Sequence, residues 1–472
     1  MKKNRIYTLL IGLLLFTTSC EKFVEDYYKD PNGIDFTVSE QEMTAVMLSN
    51  QFFQKADGLR MAMMWMNQAT GTARQYESLD NWNNANGKDF DVPWNQVYLT
   101  MTHADYLMKL AEDENNITLR GIGKLYKAWA GGEAASLWGD VPFSQLDNFD
   151  EYPDPVYDRQ QDVFNQVQDL LDEAIDDLNS YVGILNSQRD IYFDGNAYNW
   201  IKIAHGLKAR FYLHSKQYDL ALQEALQGPS NVNFDLYAQF DSNDDTPYGK
   251  WNPTKFFDLV RGGDMDASEA FANNDIFGDR HNSKTTDSRQ SYNYAGDNLN
   301  MSSGSNRVGK FFGNMPMVTY GEMLLIATEA ELRMHPDATG MANALTHYNT
   351  YRALLTSGAY SGGYGTGSFD PYDATDFDAG GMENQDNIDP VKAFFREIFE
   401  ERYIFFIGDY ESFIDFSRSF NDPLVPAYMK LHYDANGPLY SGQPLRFIYP
   451  QNEKDANDNF PGMIDINTPL YN

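Results

Sequence analysis

The sequence predicts a mainly α-helical fold, in which paired amphipathic helices support a half rich in long loops. Three observations predict it: apolar residues recur at spacings of one, three and four, alanines fall where two helices would touch, and aromatic-bearing polar stretches run too long for simple turns. The clearest helix is DRQQDVFNQVQDLLDEAIDDL, where Val163, Phe164, Val167, Leu170, Leu171, Ala174, Ile175 and Leu178 make one apolar stripe. Asp158, three residues before Gln161, has the form of a capping box that would mark its start.

A helix pair follows in WIKIAHGLKARFYLHSKQYDLALQEAL. Trp200, Ala204, Leu207 and Phe211 form one face and Tyr218, Ala221, Leu222 and Ala225 another. Helix, short turn, then Tyr-x-x-Ala-Leu-x-x-Ala looks like a tetratricopeptide unit, although spacing alone leaves unrelated amphipathic helices equally open. Similar helix-turn-helix candidates are GIGKLYKAWAGGEAASLWG and YGEMLLIATEAELRMHPDATGMANALTHYNTYRALL. The polar stretches between helices include ARQYESLDNWNNANGKDFDVP, DRHNSKTTDSRQSYNYAGDNLNMSSGSNRVG and SGAYSGGYGTGSFDPYDATDFDAGGMENQDN. Loops longer than about 12–15 residues are usually functional or disordered, and the tyrosines and tryptophans here favour function.

A chain of 472 residues with 15% aromatics carries ample apolar surface for a large core. Sixty-eight Asp and Glu against 36 Lys and Arg give a net charge of −32, which repels phosphate backbones, so nucleic acid is excluded as a natural partner. The one cysteine, Cys20, can form no internal disulfide. It stands just past a secretory signal: Lys2, Lys3 and Arg5 are the basic start, and residues 6–16 are an apolar run too short to span a bilayer. Thr17, Thr18 and Ser19 lead into Cys20 as in a bacterial lipobox, with Thr17 where leucine is usual. We therefore expect a signal peptide over 1–19, a lipidated Cys20 and flexible tether over 20–38, and one globular unit over 39–472. Two acyl chains on Cys20 would suffice for stable anchoring.

Several segments, in order, resemble the SusD-like (SusD/RagB) family of outer-membrane nutrient-binding lipoproteins. They are CEKFVEDYYKDPN after the lipid cysteine; Gly139, Asp140, Val141, Pro142, Phe143 and Ser144 after a helix; Pro316, Tyr320, Glu322, Glu329, Ala330 and Glu331 in a signature helix; REIFEERYIFFIGDYESFIDFSR; and Arg446, Tyr449, Pro450, Glu453 and Asn457 near the C-terminus. The resemblance spans nearly the whole chain. It implies about four degenerate tetratricopeptide-like helix pairs beneath a loop-rich ligand-binding half. It further implies a non-enzymatic protein, lipid-anchored on the outer membrane and facing the cell surface. There it would capture oligosaccharide for a SusC-like TonB-dependent transporter and act as the transporter's lid. Alternatives are a surface glycoside hydrolase, a tetratricopeptide interaction scaffold, or a peptide-binding member of the same family.

The residues themselves offer little catalytic chemistry. His-Glu-x-x-His, Gly-x-Ser-x-Gly and paired cysteines are all missing from the sequence. GSNRVGKF (304–311) approaches a phosphate loop but carries Phe311 where a magnesium-binding hydroxyl belongs. The histidines lack metal-ligand spacing, so we expect no cofactor and no metal site. Acidic runs read as solvated surface. Sugar binding needs flat rings for the C–H faces of a pyranose, with amides or acids for its hydroxyls. Tyr76, Asn81, Trp82 and Asn83 offer that mixture in a non-helical stretch, with packing of Trp82 under its own loop as the alternative. Tyr292 and Tyr294 are the second choice. Trp65, Trp129, Trp138 and Trp200 sit on apolar helical faces and are expected in the core, and Trp94 at a helix start.

Overall fold

Helices carry the fold, and the computed structural model describes them over residues 38–148, 150–240, 263–294, 314–361, 367–434 and 437–471. The predicted signal segment, Cys20, most of the tether and the 304–311 stretch lie outside the described residues. We label the longer helices α1 (Ser39–Lys55), α2 (Asp57–Trp65), α3 (Asp91–Asp113), α4 (Ile117–Trp138), α5 (Gln160–Asn179), α6 (Ala197–His214), α7 (Tyr218–Ala225), α8 (Tyr320–Met334), α9 (Ala338–Thr356), α10 (Pro390–Phe405) and α11 (Glu411–Arg418). From α3 to α9 each packs on the next, and α1 lies against α3 and α4. Strand among the described residues is confined to two-stranded antiparallel ribbons, such as Leu236–Ala238 with Met315–Val318.

The apolar stripes became the contacts they predict. Val163, Val167, Leu171, Ala174 and Leu178 of α5 are fully buried, as are Trp200, Ala204, Leu207 and Phe211 of α6. Trp65, Trp129, Trp138 and Trp200 are core residues, and Trp94 packs on Tyr98 and Trp138 in the first turn of α3. Helical hairpins form at α6/α7 and at α8/α9. Buried apolar side chains make one continuous cluster from Met43 to Ile466.

Two local expectations change. GIGKLYKAWAGGEAASLWG is a single helix, α4, and not a helical hairpin. Gly131 and Gly132 do not break it, because the rings of Phe143 and Phe211 lie where their Cβ atoms would be. They are close-approach residues held helical by packing on both sides. The helix ends instead at Gly139, at φ +93°. Nor does Asp158 cap α5. Its carboxylate accepts from the amides of Phe143 (3.0 Å) and Ser144 (2.7 Å), tightening the Asp140–Ser144 turn, and Asp140 accepts from the amide of Gln160 at 2.8 Å. The capping acid thus comes from 20 residues upstream.

Charged side chains join the helices inside the core. Arg210 of α6 donates to both carboxylate oxygens of Glu322 on α8 (2.7 and 2.9 Å) and to Glu133 of α4 (3.0 Å). Arg418 of α11 forks onto Glu329 of α8 (2.7 and 2.6 Å), and Arg402 of α10 onto Asp415 of α11 (2.7 and 2.9 Å). Glu411 lies 3.1 Å from His214 and 3.6 Å from both Arg210 and Arg402. A second network holds α9 and α10 to the preceding loops: Glu401 accepts from Arg280, Arg289 and Tyr351, and Glu397 from Arg280 and Tyr348.

The carboxyls divide by what surrounds them. Desolvation pushes Glu133 and Glu397 up to about 8, because each shares its cations with other carboxylates. Glu329 is also desolvated, but Arg418, Arg333 and Arg402 around it hold it down at about 2. The folded state therefore binds protons on Glu133 and Glu397 that the unfolded chain has released above its ordinary value, so stability falls as pH rises from about 4.5 to about 8. The depressed Glu329 contributes stability above about 4.5 that is lost as pH falls toward 2. The thermal midpoint should thus peak in the weakly acidic range and decline toward pH 8.5, with Glu133→Gln flattening the decline. A profile that rises from pH 5 to 8 contradicts this. Gly132→Ala should cost about 1–3 kcal/mol in urea unfolding, as overpacking against Phe211.

Candidate functional site

The segment around Trp82 folds by its own asparagines. Asn81 accepts from the amide of Asn83 at the head of one 3-10 turn, and Asn86 with Asp89 forms a capping box at the next. These caps swing the indole of Trp82 inward until only 1% is exposed, with Nε1 donating to the carbonyl of Ser441 at 3.0 Å. Asn83 donates to the same carbonyl at 2.9 Å. The C-terminal block reaches this place because it is stitched to the end of α4. Trp138 donates to the carbonyl of Ile448, the amide of Phe447 donates to that of Leu137, and Arg446 donates to that of Trp138.

Between the two segments opens a cavity of about 690 Å³, within the usual range for small-molecule sites. Trp82, Tyr440, Tyr428, Phe416 and Phe420 supply its aromatic surface, and Asn421, Ser419, Ser441 and Gln443 its neutral polar groups. No Asp, Glu, Lys, Arg or His is among the described residues that line it. Tyr440 meets Trp82 edge-on at 5.1 Å, and its hydroxyl donates to Asp80 at 2.8 Å behind the wall. Burial raises the Asp80 carboxyl, against His432, the Gly71 amide and Tyr440, which lower it. The Tyr428 hydroxyl is buried on the wall, with the Ser419 side chain as its neighbouring hydrogen-bonding group. Such a wall can stack on apolar ring faces and exchange hydrogen bonds with hydroxyls, and among the described residues that line it none is a carboxylate or imidazole.

Of the residues singled out by sequence, the cavity takes in Trp82, as a wall whose ring is almost wholly packed. Asn83 lies beside it through Ser441, and Asn81 is used as a cap. Tyr76 is 6% exposed and does not line the cavity. Tyr292 sits elsewhere, half-buried beside Arg289 and Tyr360. Tyr294 is fully buried, its hydroxyl donating to the carbonyl of Gln68 at 2.9 Å. Tyr440, Ser441 and Gln443 escaped the sequence reading. Their signal was an aromatic within the Gly- and Pro-bearing stretch GPLYSGQP.

Elsewhere, Ser136, His214 and Glu411 stand in a hydrogen-bonded row (2.9 and 3.1 Å), but all are at most 1% exposed, and the serine hydroxyl donates to the carbonyl of Gly132. It is a helix fastener with no access for substrate. Among the described residues no group of three His, Cys, Asp or Glu side chains is placed to hold a metal, and no helix is long and apolar enough to cross a membrane.

The sequence profile of the SusD-like family, described as starch-binding and associating with the outer membrane, matches residues 35–450. No curated protein matches the chain by sequence. Among solved structures it resembles a SusD/RagB family protein from Bacteroides thetaiotaomicron (19% identity, 90% of this chain and 95% of that one, TM-score 0.64). It also resembles a SusD homologue from Bacteroides fragilis (14%, 89% and 94%, 0.61) and a chitin-binding protein (15%, 89% and 94%, 0.59). At these identities the structures speak for the fold alone.

Because Tyr440 donates to a buried carboxylate, Tyr440→Phe should lower stability by about 1.5–3 kcal/mol in urea unfolding. A change within 0.5 kcal/mol would mean that Asp80 is satisfied without it.

Proposed function

The chain belongs to the SusD-like family, and from that membership we propose that it captures an oligosaccharide in the Trp82–Tyr440 cavity and passes it unaltered to a SusC-like TonB-dependent transporter. In this reading residues 39–472 are one folded unit, held at the cell surface by lipid on Cys20 after removal of residues 1–19. The observation that carries the reading is the composition of the cavity wall. Aromatic rings, hydroxyls and amides, with no charged side chain among the described lining residues, suit a neutral polyhydroxylated ligand. They also suit binding without turnover, since glycoside hydrolysis needs two carboxyl groups flanking the bond.

A glycan array, followed by product analysis on the bound oligosaccharide, tests this. We expect binding with no shortened product, and a loss of about tenfold in affinity for Tyr440→Ala, whose ring is half-buried and half-presented. Cleavage of the bound chain would make the protein a hydrolase. Binding to peptides alone, with Tyr440→Ala silent, would move the function off this cavity. Anchoring is checked separately by labelling with a palmitate analogue, which should be incorporated by the wild type and lost in Cys20→Ser.

A further inference from the structure

Between α5 and α6 the chain turns through Tyr181, Val182, Gly183 and Ile184. Tyr181 is 83% and Ile184 77% exposed, the two most exposed large apolar side chains among the described residues, and Val182 between them is 40% exposed. Two left-handed residues shape this tip, Tyr181 at φ +54° and Gly183 at φ +90°. A bulky side chain is uncommon in that region, so the turn carries a backbone cost without burying the ring that incurs it. Its backbone is nonetheless fixed. The carbonyl of Val182 accepts from the amide (2.9 Å) and hydroxyl (3.1 Å) of Thr118, and that of Ile184 from the side chain of Asn116 at 2.9 Å. Leu185 is buried just behind.

The position of the tip gives it meaning. Asn116 and Thr118 belong to the turn that joins α3 to α4, and the same turn receives the start of the fold: the hydroxyl of Ser39, first residue of α1, donates to Glu114 at 2.7 Å. The chain therefore enters the folded unit beside the tip. Upstream lie only the tether expected over 20–38 and Cys20, and at full extension that tether spans at most about 60–65 Å. Lipid on Cys20 would hold this end of the fold within that distance of the bilayer.

We propose that the Tyr181–Ile184 tip is a membrane contact, entering the headgroup region of an uncharged lipid surface and holding the anchored protein with this end against the bilayer. A tyrosine has an apolar ring and a polar end, which suits the membrane–water interface, and an aliphatic neighbour deepens the contact. Three side chains fall short of the roughly 800 Å² per partner of a stable protein interface, whereas interfacial insertion needs only a small apolar surface. Asp113 and Glu114 are exposed in the turn that carries the tip, and their carboxylates repel anionic headgroups, so the surface that fits is uncharged. Because the tip is already ordered by Thr118 and Asn116, insertion costs it little backbone freedom. The inference rests on the lipid anchor of the proposed function.

The test uses the full chain, first shown to incorporate the palmitate analogue, then reconstituted in phosphatidylcholine vesicles. With Cys20 lipidated, Tyr181→Cys supplies the one free thiol, and a nitroxide on it reports collisions with oxygen and with a water-soluble nickel chelate. Ile184→Cys is a second reporter that keeps the tyrosine, and Leu226→Cys, 61% exposed at the end of α7, is the control. We expect the nickel collision rate at 181 and 184 to fall several-fold on vesicles while oxygen collisions rise, with no change at 226. Tyr181→Ser should return the 184 reporter toward the control. Failure of palmitate incorporation removes the anchor and this inference together; incorporation with a tip as open to nickel as residue 226 overturns the inference alone. Protection already present in the unlipidated Cys20→Ser chain without vesicles would mean that the tether or a second copy covers the tip. Protection that appears only with a co-reconstituted transporter would assign it to that protein. Either result overturns the lipid contact.

Discussion

Buried charge must be paired, and in this protein that requirement fixes the helices relative to one another. Arg210 lies among Glu322, Glu133 and Glu411, and Arg418 and Arg402 meet Glu329 and Asp415. These side chains come from α4, α6, α8, α10 and α11. Sliding any one helix by a turn would strand a carboxylate or guanidinium in the core, at a cost of several kcal/mol. An apolar core of the same volume could be as stable, but it would tolerate shifted packings that the forked Arg–carboxylate bonds forbid. Carboxylates outnumber guanidinium groups around Arg210, and desolvation with Glu411 nearby pushes the Glu133 carboxyl up.

The cavity depends on that frame. Segment 416–443, which supplies most of its wall, begins at the end of α11, the helix that carries Glu411, Asp415 and Arg418. The opposite wall, Trp82, enters α3 through the capped turns at Asn81 and Asn86. Their meeting is sealed by Arg446, Phe447 and Ile448 on the last turn of α4 and by Tyr449, whose hydroxyl donates to the carbonyl of Asp140 at 2.6 Å. The motifs that made the chain resemble its family are thus mostly structural. Gly139–Asp140, Glu322, Glu329 and Arg446 place the walls without lining the cavity.

What could be read from sequence follows from what is local. The stripes of α5 and α6 and the core tryptophans were legible because helical period and burial are properties of a short window. The continuous α4 was not, since Gly131–Gly132 reads as a breaker until Phe143 and Phe211 are seen over it. Asp158 read as a cap because its true partners, the amides of Phe143 and Ser144, sit in another turn. Isolated acids such as Glu322 and Glu329 gave no sign of burial, since their arginines come from distant helices. Trp82, singled out by residue type and loop position, borders the cavity with its ring almost wholly packed. Tyr440 was missed because its pairing with Trp82 and Asp80 spans some 360 residues of chain.

In the proposed capture, Trp82 would contribute only the small part of its indole that packing leaves open. Trp82 has its indole N–H committed to Ser441 and stands perpendicular to the Tyr440 ring, so it is held in one orientation with only 1% exposed. A freely rotating surface ring would lose rotamer freedom on stacking, typically about 0.5–1.5 kcal/mol for each side chain immobilised. Here that ordering has already occurred during folding. The same holds for Tyr428, buried between the cavity and a smaller pocket that it also lines. For the proposed capture of a sugar, weak stacking and neutral hydrogen bonds would lose little of their energy to arranging the site.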